Sequence, residues 1–110
     1  MLRDTIGKIE ERLRDSASLT AQQRTELLAL LATLKSEVDG LARTHADEAQ
    51  SIAGFTAVST HEATREERNP ELVKLSLKGL SSSVEGFEQT HPKLVQSVNA
   101  IATALSNLGI

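Results

Sequence analysis

The chain has 110 residues, of which 39% are hydrophobic, 25% charged and 2% aromatic, with no Cys, Trp or Tyr and a formal net charge of −3. That length suits a single domain over 1–110, and an apolar content made mostly of Leu, Ala, Ile and Val suits helix packing rather than a β-sandwich. Without Cys there are no disulfides, thiolate nucleophiles or Cys-based metal sites. Without a basic stripe, or Trp and Tyr to stack on bases, nucleic acid is not an expected partner.

In chain order, Leu2, Ile6, Ile9 and Leu13 are spaced four, three, four and mark one face of a helix over about 2–15. Asp15-Ser-Ala-Ser-Leu-Thr20 breaks it. Thr20 then reads as an N-cap, with Gln23 three residues on completing a capping box. From there Leu27, Leu31, Leu34, Val38, Leu41, His45, Ile52 and Phe55 hold the a and d positions of one heptad frame, with Glu48 the exception. This predicts a long, coiled-coil-like second helix over about 21–66. Gly40 and Gly54 lie inside it, each costing about 1 kcal/mol relative to Ala. Beyond Val58 the apolar pattern fades, and 59–68 is polar on every side.

Asn69-Pro70-Glu71 is a strong start signal: a capping Asn, Pro at the first helical position, and an acid near the positive end of the dipole. It opens a third helix over about 70–89, whose stripe is Val73, Leu77, Leu80, Val84 and Phe87. Thr90-His91-Pro92 interrupts it. A fourth helix over about 92–108 follows, with Leu94, Val98, Ile101, Leu105 and Leu108 on one side and Gly109 placed as a C-terminal cap. Small-residue stripes, Ser76-Gly79-Ser83-Gly86 and Ser97-Ala100-Ala104, predict that these two helices form a tight antiparallel hairpin. Its packing residues are Leu77, Leu80, Val84, Phe87, Leu94, Val98, Ile101 and Leu105. Both phenylalanines, Phe55 and Phe87, are expected to be buried anchors near helix ends.

Patterns that carry chemistry are few. His61-Glu62 opens like the zinc-protease His-Glu-x-x-His motif, but Arg65 stands where the second His belongs. Glu88-Gln-Thr-His91 matches half of a di-iron Glu-x-x-His pair, and the chain has no second copy. His45, a polar group on the seam, reads as a structural or register-setting histidine. There is no Gly-x-Ser-x-Gly elbow and no glycine-rich phosphate loop. No catalytic residue, cofactor or metal is therefore expected, and the chain is not read as an enzyme. The start, Met-Leu-Arg-Asp-Thr-Ile-Gly-Lys, lacks the apolar core of a signal peptide. The longest apolar run, Leu27 to Ala32, is far short of the roughly 20 residues of a spanning helix. A cytoplasmic location is expected.

The segment Gly86-Phe87-Glu88-Gln89-Thr90-His91-Pro92-Lys93-Leu94, followed by Ile101, Leu105 and the ending Asn107-Leu108-Gly109-Ile110, resembles a bacterial family, the domain of unknown function 4404. Its members are small proteins with a Phe-Glu…His-Pro-x-Leu segment and a terminal Gly-Ile. They begin with a short Leu-rich helix, a loop and a second helix, as residues 2–40 do here. The resemblance covers about the first and last 40 residues. It implies bacterial origin and helical architecture, and it transfers no catalytic residue because the family carries no established activity.

The fold class expected is all-α: antiparallel hairpins forming a bundle that oligomerisation completes. A seam of Leu27, Leu30, Leu31, Leu34 and Leu41 needs more cover than one short hairpin supplies, and at about 25 cal/mol per Å² leaving it wet would cost several kcal/mol. A self-associating, non-enzymatic interaction or scaffold protein is the leading reading, as a homodimer or tetramer. The alternatives are a regulatory adaptor that accepts a partner helix and a peripheral membrane protein. The acidic charge and the absence of Trp stand against the membrane reading.

Overall fold

The computed structural model describes residues 1–109, and these form five helices: α1 (Leu2–Asp15), α2 (Ala21–Leu41), α3 (Ala46–Thr64), α4 (Pro70–Ser83) and α5 (Pro92–Gly109), with no strand among them. The all-α class expected from composition is the class observed.

α1 buries Ile6, Ile9 and Leu13, three of the four residues that marked its face. Its C-terminal carbonyls are capped from the next helix. Arg24 donates through Nε to Leu13 O at 3.1 Å and through Nη2 to Ser16 O at 2.6 Å and Leu19 O at 3.4 Å. A cation here also opposes the negative end of the α1 dipole. α2 starts on the predicted capping box: Thr20 Oγ1 accepts from Gln23 N at 3.1 Å, and Thr20 N donates to Gln23 Oε1 at 2.9 Å.

The long second helix does not run to 66. It ends at Leu41, and a turn over 42–45 separates it from α3. One helix over 21–66 would extend roughly 70 Å at 1.5 Å per residue, whereas the longest dimension of the fold is 37 Å. The local causes are legible. Gly40 weakens the last turn of α2, and the freed Leu41 carbonyl accepts from Thr44 N and His45 N. Asp47 and Glu48 then favour a fresh N-terminus.

α3 is the hub. It packs on every other helix, and the other four form an arc around it in the spatial order α1, α2, α5, α4. The arc stays open between α1 and α4, which do not touch. The side of α3 that faces the arc is built from Ala49, Ile52, Ala53, Thr56, Ser59, Thr60, Ala63 and Thr64. Small side chains let four neighbours approach, and the threonine hydroxyls are satisfied within the helix. Thr56, Thr60 and Thr64 donate to the carbonyls of Ile52, Thr56 and Thr60 at 2.7, 2.8 and 2.7 Å. Four residues of the stretch that read as polar on every side, Ser59, Thr60, Ala63 and Thr64, are thus core, while α3 stops at Thr64 and 66–68 are exposed.

α4 starts as predicted, with Asn69 Oδ1 accepting from Glu71 N at 3.0 Å and Pro70 in the first turn. It stops at Ser83 rather than 89. The triple serine is a weak helix former, and Gly86, at φ 95°, takes a backbone conformation that a side chain would resist. Val84 still enters the core from the turn. α4 packs on α5, as the hairpin expectation required, but more extensively on α3. Of the small-residue stripe, Gly79 faces α3, where the Phe55 ring lies against it. α5 contributes Leu94, Val98, Ile101 and Leu105 to the core. It runs through Gly109, so the cap expected there falls at the boundary of the described residues.

A void of about 10 Å³ lies between α1, α2, α3 and α5, lined by Leu13, Leu31, Thr56, Ile101 and Leu105 among others. That is at or below the space of one water molecule.

Candidate interaction face

Most of the predicted seam is closed within the chain. Leu27, Leu31, Leu34, Val38, Leu41 and Ile52 are all buried in the one core. The wet seam that motivated oligomerisation is absent from the folded chain. The hairpin residues behave alike: Leu80, Val84, Leu94, Val98, Ile101 and Leu105 are buried, and Leu77 and Phe87 are partly buried against them.

The two remaining seam positions differ from expectation. His45 is the N-cap residue of α3, half-buried and without a side-chain cap bond. It meets the Phe87 ring edge-to-face at a centroid distance of 5.4 Å, and His91 meets the same ring at 5.3 Å. The two imidazoles are 6.0 Å apart. Each is held by the threonine before it: His45 Nδ1 is 2.8 Å from Thr44 Oγ1, and His91 Nδ1 is 3.0 Å from Thr90 Oγ1. This trio clips the α2–α3 turn to the α4–α5 turn, and Phe87 is an anchor, though half-buried.

Phe55 is not a buried anchor. Its ring lies across α4 at Gly79, where a Cβ would stand 2.6 Å from Phe55 Cδ1. Its outer side is open to solvent, and 40% of the residue is exposed. The heptad count that placed it inside was carried through the 42–45 turn, where helical phase is lost.

Phe55 is one of four large apolar residues exposed together. Val58 is 49% exposed, Leu72 38% and Leu75 67%. Leu72, Leu75 and Gly79 share one line of α4 at i, i+3, i+7 spacing. Phe55 occupies the space a side chain at 79 would take, so it extends the line Leu72–Leu75. Glu71, Lys74 and Lys78 flank it along a shallow groove of about 290 Å³. The whole strip borders the opening of the arc. Val58, Leu72 and Leu75 were missed from the sequence because the stripe of Val73, Leu77 and Leu80 accounts for burial in α4. The available signal was a second apolar line on the same helix.

The motifs with metal precedent are spent on local structure. Glu62 accepts from Arg65 Nη1 at 2.9 Å, and His61 Nε2 is 3.9 Å from the same carboxylate. Glu88 Oε2 accepts from Gly86 N at 2.8 Å inside the α4–α5 turn. Among the described residues no three His, Asp or Glu side chains converge as metal ligands. A larger cleft, about 510 Å³, lies where α1 ends beside the end of α3, lined by Lys8, Glu11, Arg12, Asp15 and Glu66 among others. It carries charges of both signs. Its Arg12 is committed to α3, donating to Thr64 Oγ1 at 2.9 Å and to the His61 carbonyl at 3.4 Å. No helix among the described residues is long and apolar enough to cross a membrane.

The family model of the domain of unknown function 4404 matches residues 2–110. No curated protein and no solved structure matches the chain. The match extends across the central segment as well as the two ends that carried the resemblance, and the chain belongs to this family.

Proposed function

We propose that this member of the domain of unknown function 4404 family is a non-catalytic interaction protein that associates with itself through the α3–α4 face. One observation carries the reading. In a fold whose core is otherwise closed, Phe55, Val58, Leu72 and Leu75 stand exposed on adjacent helices. Isolated exposed leucines are ordinary, whereas a contiguous apolar strip rimmed by charges marks a contact surface. The strip also borders the one gap in the arc around α3, where an added helix would complete the enclosure.

Sedimentation equilibrium tests this. The wild-type chain is expected above its monomer mass of 11.9 kDa at micromolar to millimolar concentration. Leu75→Asp, which places a charge at the most exposed point of the strip, is expected to stay monomeric with unchanged helicity. A wild-type chain that remains monomeric throughout would overturn the reading.

A further inference from the structure

We infer that the occupant of the α4 strip is the same strip of a second copy, docked antiparallel about a two-fold axis; this rests on the self-association proposed above and adds its geometry. The charges decide the orientation. Along α4, Glu71 comes first, and Lys74 and Lys78 follow on the same flank of the Leu72–Leu75 line. None of the three takes part in an ion pair among the described residues. Lys74 and Lys78 lie one turn apart, a spacing at which like charges repel.

A parallel copy about a two-fold axis would put the two Glu71–Lys74–Lys78 flanks on opposite sides of the seam, where they could not pair, whereas an antiparallel copy brings both to the same side. An antiparallel copy, with Leu72 packed on Leu75 of the second chain and Leu75 on its Leu72, centres the axis between those two leucines. Glu71 then falls midway between Lys74 and Lys78 of the second copy. It sits two residues from each along the axis, roughly 3 Å at 1.5 Å per residue. The arrangement is isologous, so the same cluster forms twice and the assembly closes as a dimer. Phe55, lying over Gly79, reaches the same interface from α3.

Charge reversal tests the pairing. Glu71, Lys74 and Lys78 are exposed, and Asn69 caps α4 through the Glu71 backbone N–H rather than its side chain, so the variants are expected to fold. Circular dichroism checks that they do. Lys78→Glu turns two attractions of the dimer into repulsions and Glu71→Lys turns four, each contact worth about 2- to 5-fold, so Lys78→Glu should weaken dimerisation by about tenfold and Glu71→Lys by more. The double variant restores the two 71–78 pairs of the dimer, leaves the lysine at 71 facing Lys74 of the second copy and returns the net charge to −3, so it should recover part of the affinity that Glu71→Lys loses. Asp39→Lys on the exposed side of α2 changes net charge by the same amount and should leave dimerisation unaltered. Dimerisation that responds to Glu71→Lys no more than to Asp39→Lys, or that is no stronger in the double variant than in Glu71→Lys, overturns the antiparallel pairing while leaving self-association standing. Flotation with phosphatidylserine vesicles supplies the other arm: a chain that binds them while remaining monomeric overturns both.

Discussion

Ser59 is a single atom out of place in an otherwise satisfied core. Its Oγ is buried and has no hydrogen-bond partner, while the threonines around it bond to their own helix. A buried hydroxyl without a partner costs on the order of 1–3 kcal/mol, and Ala is the better helix former. Ser59→Ala should therefore stabilise the chain by about 1 kcal/mol, seen as a higher denaturant midpoint at constant m-value. A loss of stability would show that the hydroxyl has a partner. Gly79 and Phe55 form a second residue-scale test. Gly79→Ala alone must displace the Phe55 ring and should cost about 1 kcal/mol. In a Phe55→Ala background the same change should stabilise by about 1 kcal/mol, the normal advantage of Ala over Gly in a helix. Additive effects would mean that the two do not touch. Neither residue's setting was legible beforehand: an aromatic on a heptad position reads as core, and a glycine beside it as a packing notch for the following helix.

At the level of helices, starts were more legible than stops. The Thr20–Gln23 box and the Asn69-Pro70 start stood where side-chain chemistry put them, because an N-cap is a local bond between residues a few positions apart. Stops depended on partners distant in sequence. α1 ends where Arg24 reaches back to its carbonyls, a bond that no periodicity in 2–15 announces. Arg24→Ala should cost about 1.5–3 kcal/mol, the range for hydrogen bonds to a charged group. Arg24→Lys should recover less than half, since a point charge lacks the fork that serves several carbonyls. Full rescue by Lys would mean that charge alone matters. The largest departure, the break of 21–66 into α2 and α3, has the same origin. Heptad counting describes a straight helix, and nothing in Arg43-Thr44-His45 forbids continuation as strongly as Pro would. The hydroxyl-rich second half of α3 was opaque for another reason: hydropathy scores a threonine as polar even when its hydroxyl is spent on the preceding turn.

For the whole molecule, the arc around α3 sets an order of protection. α3 rests on four neighbours, so its amides should open only when the fold opens globally. Those of 65–69 and 84–91, which lie in connections, should exchange through local fluctuations. Native-state hydrogen exchange reads this directly. Exchange of 52–60 at rates like those of α1 would show that α3 is not the hub. The all-α class followed from composition and periodicity, and so did most of the large aliphatic residues of the core, but the fifth helix and the small and hydroxyl-bearing core side of α3 did not. The closure of the α2 seam inside one chain did not, because the cover comes from α1 and from α5 at the far end of the sequence. The surface proposed for association therefore lies on the α3–α4 side rather than on α2.

The tiny void at the centre has a consequence for how the molecule answers compression. Proteins yield to hydrostatic pressure largely because unfolding abolishes their internal empty space, and the volume change scales with it. The void of about 10 Å³ lined by Leu13, Leu31 and Ile101 adds almost nothing to that volume. Leu31→Ala would enlarge that space and should make the volume change of unfolding more negative, seen as a lower midpoint pressure.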